Sequence, residues 1–176
     1  MVAVDLSFLA DATLWAAVGS LATASALVLL VIDARHRGQR EEQAQAAKVS
    51  AWMTEFYEKN SVATLSNASD TPVYRAIVSL IHWQGGGGPM TGEEAAKVYL
   101  PALVGVLPPG RCRVQLPPFD GGMYARPGVE VAFTDATNRH WVRRYDGHLE
   151  RMSREAAEHY RLGLPLDWGA AVDAVS

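Results

Sequence analysis

The sequence predicts a mainly β chain: an N-terminal transmembrane helix and a juxtamembrane helix, then an antiparallel β-sandwich with a short C-terminal helix. Three observations predict it. Residues 12–32, ATLWAAVGSLATASALVLLVI, run for 21 positions without one charged side chain. The apolar residues between Glu41 and Lys59 recur at helical spacing. From Asn60 to Met152 the chain breaks into short runs of alternating polarity, separated by Gly, Pro, Asn and Asp.

Composition narrows the classes before any element is placed. Setting aside the span and the connecting helix leaves roughly 115 residues of the chain, enough for one small core. The net charge of −3 gives no electrostatic footprint for nucleic acid. Cys112 is the single cysteine, so the chain has no internal disulfide. In the run RCRVQL it reads as a small strand residue rather than a nucleophile.

Residues 1–11 form a short extracytoplasmic tail in this reading. They carry Asp5 and Asp11 and no Lys or Arg, whereas a cleaved secretory signal needs a positive start and a shorter apolar core. A helix of 21 residues rises about 30 Å, the thickness of a bilayer's hydrocarbon core, so 12–32 is read as a retained membrane anchor. Arg35, Arg37 and Arg40 follow the span, opposed by Asp33 alone. The positive-inside rule then places the N-terminus outside and the C-terminal domain in the cytoplasm of a single-pass cell-membrane protein. Trp15 suits the outer interface. Ala16, Ser20 and Ala24 form a small-residue ridge of the kind that lets two spans approach, although Ala-rich helices produce such ridges by chance. A homodimer through the membrane is the partner that ridge would suit; the bilayer itself is the partner of residues 12–32.

Residues 33–60 are read as the basic flank and the juxtamembrane helix, with Gly38 as a joint. Val49, Trp52, Met53, Phe56 and Tyr57 make its apolar face, which is expected to dock on the domain; Glu42 and Gln45 sit where a coiled-coil seam would need apolar residues. Residues 61–152 are the sandwich. SVATLSN is followed by the turn cluster NASDT, and Pro72 opens PVYRAIVSLIHW, apolar on both faces and therefore a covered central strand. Gly85–Gly88 lacks the Lys-Ser/Thr of a phosphate loop and reads as a loose hairpin connection. Strands resume at 103–107 and 111–116, split by PPG. VEVAFTD alternates Val129, Val131 and Phe133 inward against Glu130, Ala132 and Thr134 outward. Asp135–Asn138 is a turn, and Asp146-Gly147 predicts a two-residue hairpin pairing Tyr145 with His148 and Val142 with Arg151. In 153–176, SREAAEHYRL is a helix capped by Ser153 with Ala156, Ala157 and Tyr160 on one face, and Leu164, Leu166 and Trp168 are expected to dock locally. Regular short strands without long intervening helices argue for an Ig-like sandwich in architecture, without the cysteine pair of that family.

Taken together, the lone span, AKVSAWM, NASDTPVYRAIVSL, LPPG and FTDATNRHWVRRYDGHL give a chain that resembles single-pass membrane proteins of high-GC actinobacteria carrying a small β-sandwich domain. The resemblance rests on Asn67–Tyr74, Leu107–Gly110 and Asp135–Leu149 and covers about residues 45–150. It implies a membrane-anchored sandwich and brings no activity.

The residues that could carry chemistry are few. His36 belongs to the basic flank. His82 and His159 stand apart, and the predicted ladder separates His140 from His148 by about three rungs of 3.3 Å, too far for a shared metal. Asp135 and Asn138 are turn formers first. No local motif for a hydrolase, zinc protease or nucleotide site is present, although a dispersed triad needs no local motif. Asn67-Ala68-Ser69 matches a glycosylation acceptor and is equally a turn. Arg139, Arg143, Arg144, Arg151 and Arg154, diluted by Glu150, Glu155 and Glu158, read as a mixed solvated face rather than a lipid-binding patch. No catalytic, cofactor-binding or metal residue is assigned and no cofactor is implied. The expected function is a membrane-anchored, non-catalytic scaffold or protein-interaction module with an unidentified protein partner. The alternative is a hydrolase or metal-dependent enzyme with its site on the sandwich loops.

Overall fold

Val49 opens the first strand, inside the segment for which the spacing predicts a helix. The computed structural model describes Asp33 and residues 43–57, 60–119, 124–163 and 165–169; the span at 12–32, its ridge and the arginine flank lie outside the described residues. The chain divides after Gln43, and the fold is that of the unit beginning at Ala44.

Residues 43–47 make a turn of helix, and β1 (Val49–Tyr57) follows after one residue. The helix expected over 41–59 is therefore corrected: most of it is a strand, and the sheet begins before residue 61. The physical reason lies in the bulge between Met53 and Glu55. Val49, Ala51 and Met53 pack inward at period two; the extra residue then shifts the phase, so that Phe56 turns its ring onto the buried Phe119, with centroids 5.0 Å apart, while Trp52 before the bulge faces solvent. A bulged strand thus imitates helical spacing. Its aromatic and β-branched content is the feature that fits the strand.

β1 pairs with β2 (Asn60–Asn67), and β2 with β5 (Gly110–Leu116), as a three-stranded antiparallel sheet. The second sheet has five antiparallel strands in the order β4 (Ala102–Leu107), β3 (Val73–Gln84), β6 (Ala125–Thr134), β7 (His140–Arg143) and β8 (Leu149–Met152). The main core lies between the sheets, joining Leu65, Val114 and Leu116 to Val78, Leu80, Val131, Phe133 and Trp141. Burying each such large side chain contributes about 1.5–3 kcal/mol. The chain is mainly β with two packed antiparallel sheets, as expected.

The five-stranded sheet is buried on its other face too. Ile77, Ala132 and Val142 pack there against Ala156, Ala157 and Tyr160 around α2 (Ala156–His159). β3 is therefore the covered central strand that its sequence predicts. For β6 the expectation needs correction, because Glu130, Ala132 and Thr134, read as outward, are all buried.

Three local expectations also change. The glycine run leads into α1 (Gly92–Val98), so β3 and β4 are joined through a helix rather than a hairpin loop. Thr91 and Glu94 close a capping box there: the Glu94 N–H donates to Thr91 Oγ1 at 3.3 Å and the Thr91 N–H to Glu94 Oε2 at 2.9 Å. The β7–β8 connection is a three-residue loop, with Arg144 N donating to His148 O at 2.8 Å and Gly147 at φ +87°. Val142 consequently faces Glu150, one rung away from the expected register. Finally, α2 starts at Ala156 after Glu155, which makes no side-chain cap bond, so Ser153 is not its cap.

Candidate functional site

Three loops meet at one end of the sandwich, and they are the three segments that carry the resemblance. Asn67, at the end of β2, is 1% exposed and spends its whole carboxamide there. It donates to Thr71 O at 2.9 Å and Leu107 O at 3.2 Å, and accepts from Ser69 N at 3.1 Å and Ser69 Oγ at 2.6 Å. That geometry makes Asn67-Ala68-Ser69 a turn, with no side-chain nitrogen offered for glycosylation. Gln45 joins the entering chain to the same end: its Nε2 donates to Pro72 O at 3.1 Å and its Oε1 accepts from Ala136 N at 3.0 Å.

Asp135 holds the third loop. Its Oδ1 accepts from Thr137 N (2.8 Å), Thr137 Oγ1 (2.7 Å) and Arg139 N (2.9 Å), and its Oδ2 accepts from the Trp141 indole at 2.8 Å. Burial by itself raises a carboxyl pKa. The donors from Arg139, Thr137 and Trp141 outweigh it and hold Asp135 below the usual aspartate range. Asn138 closes the turn at φ +62°, a conformation that asparagine tolerates.

Beside the β6–β7 loop lies a cavity of about 310 Å³ lined by Tyr74 and Arg75 of β3, Gly105 of β4, and Thr134, Asp135, Ala136 and Asn138. Arg75 sits in a bulge of β3 at φ +50°. Two of the three non-glycine residues with positive φ among the described residues thus line this one cavity, and backbone strain of that kind concentrates at functional sites. Tyr74 is 39% exposed, and Arg75 donates one guanidinium N–H to Glu155 at 2.8 Å. Asp135 has both oxygens engaged. Thr134 Oγ1 lies 3.0 Å from His140 Nδ1, a hydroxyl–imidazole contact between cross-strand neighbours. Thr134 is buried, and no carboxylate pairs with His140 among the described residues, so the orienting third group of a catalytic triad is missing there.

Three other histidines lie among the described residues, and His36 lies outside them. His148 stands in the β7–β8 loop 3.9 Å from Glu150, His159 lies 3.3 Å from Glu93, and His82 packs edge-on against Tyr99 and Phe119. Among the described residues no three His, Cys, Asp or Glu side chains come together as a metal site. Cys112 faces the core from β5, where burial pushes its thiol pKa up, away from the reactive thiolate.

Arg151 and Arg154 are exposed as expected, whereas Arg143 and Arg144 are less solvated than their sequence suggests. Arg143 lays its guanidinium on the carbonyls of Ala46, Ala47, Val49 and Gly147, and burial lowers its pKa. Arg144 donates to Glu130 and to Glu150, both at 2.9 Å. Glu130, which alternation turns outward, is instead 1% exposed, and Tyr160 donates its hydroxyl to Glu130 Oε1 at 2.7 Å. Burial, then the adjacent Glu130, raises the Tyr160 pKa well above the usual phenol value and keeps that donor protonated. The only sequence signal was a carboxylate interrupting an apolar run on β6, which alternation alone assigns to solvent.

No protein-family model matches the chain, and neither the curated proteins nor the solved structures give a match. Among the described residues no helix is long and apolar enough to cross a membrane.

Proposed function

We propose that this chain is a membrane-anchored, non-catalytic protein-interaction module that uses an Ig-like sandwich to hold a protein partner at the inner membrane surface. The observation that carries the binding role is the cavity where the β6–β7 loop, through Ala136 and Asn138, meets Tyr74 and Arg75 at the bulged start of β3. Buried side chains, Asn67 and Asp135, consume their own polar groups to fix the loops at this end of the sandwich, which is how a rigid recognition surface is made. The groups left at the cavity, a phenol, a guanidinium and a carboxamide, recognise rather than react. Anchoring and orientation rest on the uncharged residues 12–32 and the arginines after them.

The test is affinity purification of the intact protein from membranes, beside a Tyr74→Ala/Asn138→Gly variant. Glycine keeps the positive φ at 138, so the loop survives while its side chain is lost. A co-purifying protein that disappears with the variant supports the reading. Recovery of the bait alone, or an identical partner set for both, overturns it.

A further inference from the structure

Residues 165–169 run along the outer side of β4 and touch it by a single rung. Val104 pairs with Gly169 in the parallel sense, and Gly105 N donates to Gly169 O at 3.0 Å. β4 is the last strand on that side of its sheet, so this rung is the one backbone pairing of its outer edge among the described residues. Behind the rung is a mostly apolar cavity of about 450 Å³, with Leu100, Pro101 and Leu103 on one side and Leu162, Pro165 and Leu166 on the other. The chain enters this stretch through Arg161 at φ +53°. A segment with one rung, half-buried anchors at Leu166 and Trp168, and unfilled space behind it belongs to the low-stability end of a fold.

We propose that residues 165–169 are a displaceable strap, and that the edge of β4 beneath it accepts an extended segment of a partner chain in its place. The strap shows what such a segment must be. It runs parallel to β4 and turns the N–H and C=O of its rung residue toward Leu103 and Gly105. That residue is small, because a Cβ on Gly169 would lie 3.3 Å from Leu103 O. The preceding residues carry apolar side chains for the space between Leu103 and Leu162. Leu107 O is already occupied by Asn67, which ends the open edge and keeps the added strand short. Main-chain bonds then supply affinity and the apolar cavity supplies specificity, the usual division in strand addition.

A Cβ on Gly105 would stand 3.4 Å from Trp168 Cβ, close to the spacing of about 3.8 Å that a disulfide needs, so Gly105→Cys/Trp168→Cys can lock the strap. The probe is a fluorescein-labelled peptide with the sequence of residues 162–169, LGLPLDWG, titrated by anisotropy into the full chain. The reduced double variant binds it; oxidation weakens binding by about tenfold or more, and reductant restores it. In the unsubstituted chain the Gly105 amide exchanges about a hundredfold faster than that of Val131 at the core, reporting strap release without unfolding. Equal binding by oxidised and reduced protein, no binding by either, or exchange of Gly105 at the rate of Val131 overturns the proposal.

Discussion

Trp141 donates its indole N–H to Asp135 Oδ2 at 2.8 Å, so the largest fully buried side chain of the core is bonded to the turn that precedes its strand. One carboxylate thereby sets the β6–β7 connection and the rotamer of the tryptophan that fills the space between the sheets. Asp135→Ala leaves the indole and two backbone N–H groups without acceptors, and the expected loss is about 3 kcal/mol. Asp135→Asn retains one acceptor oxygen and is expected to lose about half of that. Urea unfolding of the full chain, followed by tryptophan fluorescence, measures both. Midpoints within error of the parent would show that the bond does not hold the turn.

The same carboxylate predicts an acid dependence. Its folded pKa lies below its unfolded value of about 3.9, so the unfolded state binds the proton first as pH falls. The stabilisation is whole above the unfolded value and is lost as pH drops through the folded one. The stability gap between the parent and Asp135→Asn should therefore be constant from pH 7 to 5 and shrink below about pH 4. A gap that widens on acidification would reverse the sign and exclude this account.

Gly92 opens α1 directly over Glu130. A Cβ at that position would lie 1.8 Å from Glu130 Oε1 and 2.8 Å from Tyr160 Cε1. Alanine is the better helix former by about 1 kcal/mol, so intrinsic propensity predicts that Gly92→Ala stabilises the chain. The contact predicts the opposite: α1 must lift or the Glu130–Tyr160–Arg144 network must break, at a net cost of about 2–4 kcal/mol. Thermal unfolding decides the sign. In the Glu130→Ala background part of that cost should vanish, since the closer of the two side chains that Cβ meets is gone while Tyr160 remains.

Much of this architecture is legible in the residues. The apolar pattern on both faces of 73–81 announced a covered central strand, and Asp135–Asn138 announced its turn. What escaped did so for physical reasons. A bulge at 53–55 moved the phase of β1 until its apolar residues fell at helical spacing, and only β-branched and aromatic content opposed that reading. The capping box of Thr91 and Glu94 was written in the sequence, but four preceding glycines drew attention to a loop. Glu130 could not have been placed, because its cover comes from helices remote in sequence and its partner Tyr160 from a segment with no strand signal. The motif loops were readable one by one. That Asn67 and Gln45 bring them to one end is tertiary information.

Arg143 makes the last prediction, because its charge meets carbonyls rather than a carboxylate. Its guanidinium bonds Ala46 O at 3.1 Å and Ala47 O at 2.9 Å, reaches Val49 O, and bonds Gly147 O at 2.8 Å, closing the helical turn at 43–47 onto the β7–β8 loop. A cation at the carbonyl end of a helical turn is favoured, and a planar fork is what spans several oxygens at once. Lysine offers a single ammonium. Arg143→Lys should therefore keep the charge yet lose about 1–2 kcal/mol, with Arg143→Ala losing somewhat more. The loss should be local: the amides of Lys48 and Ala68, which bond Gln45 O and Lys48 O, should exchange faster while Val131 stays protected. Because the guanidinium is turned toward the chain, Arg143→Lys should leave sedimentation with anionic vesicles unchanged. If vesicle binding fell with no change in exchange at Lys48, Arg143 would belong to a lipid-facing surface and not to the clamp at the entry of the domain.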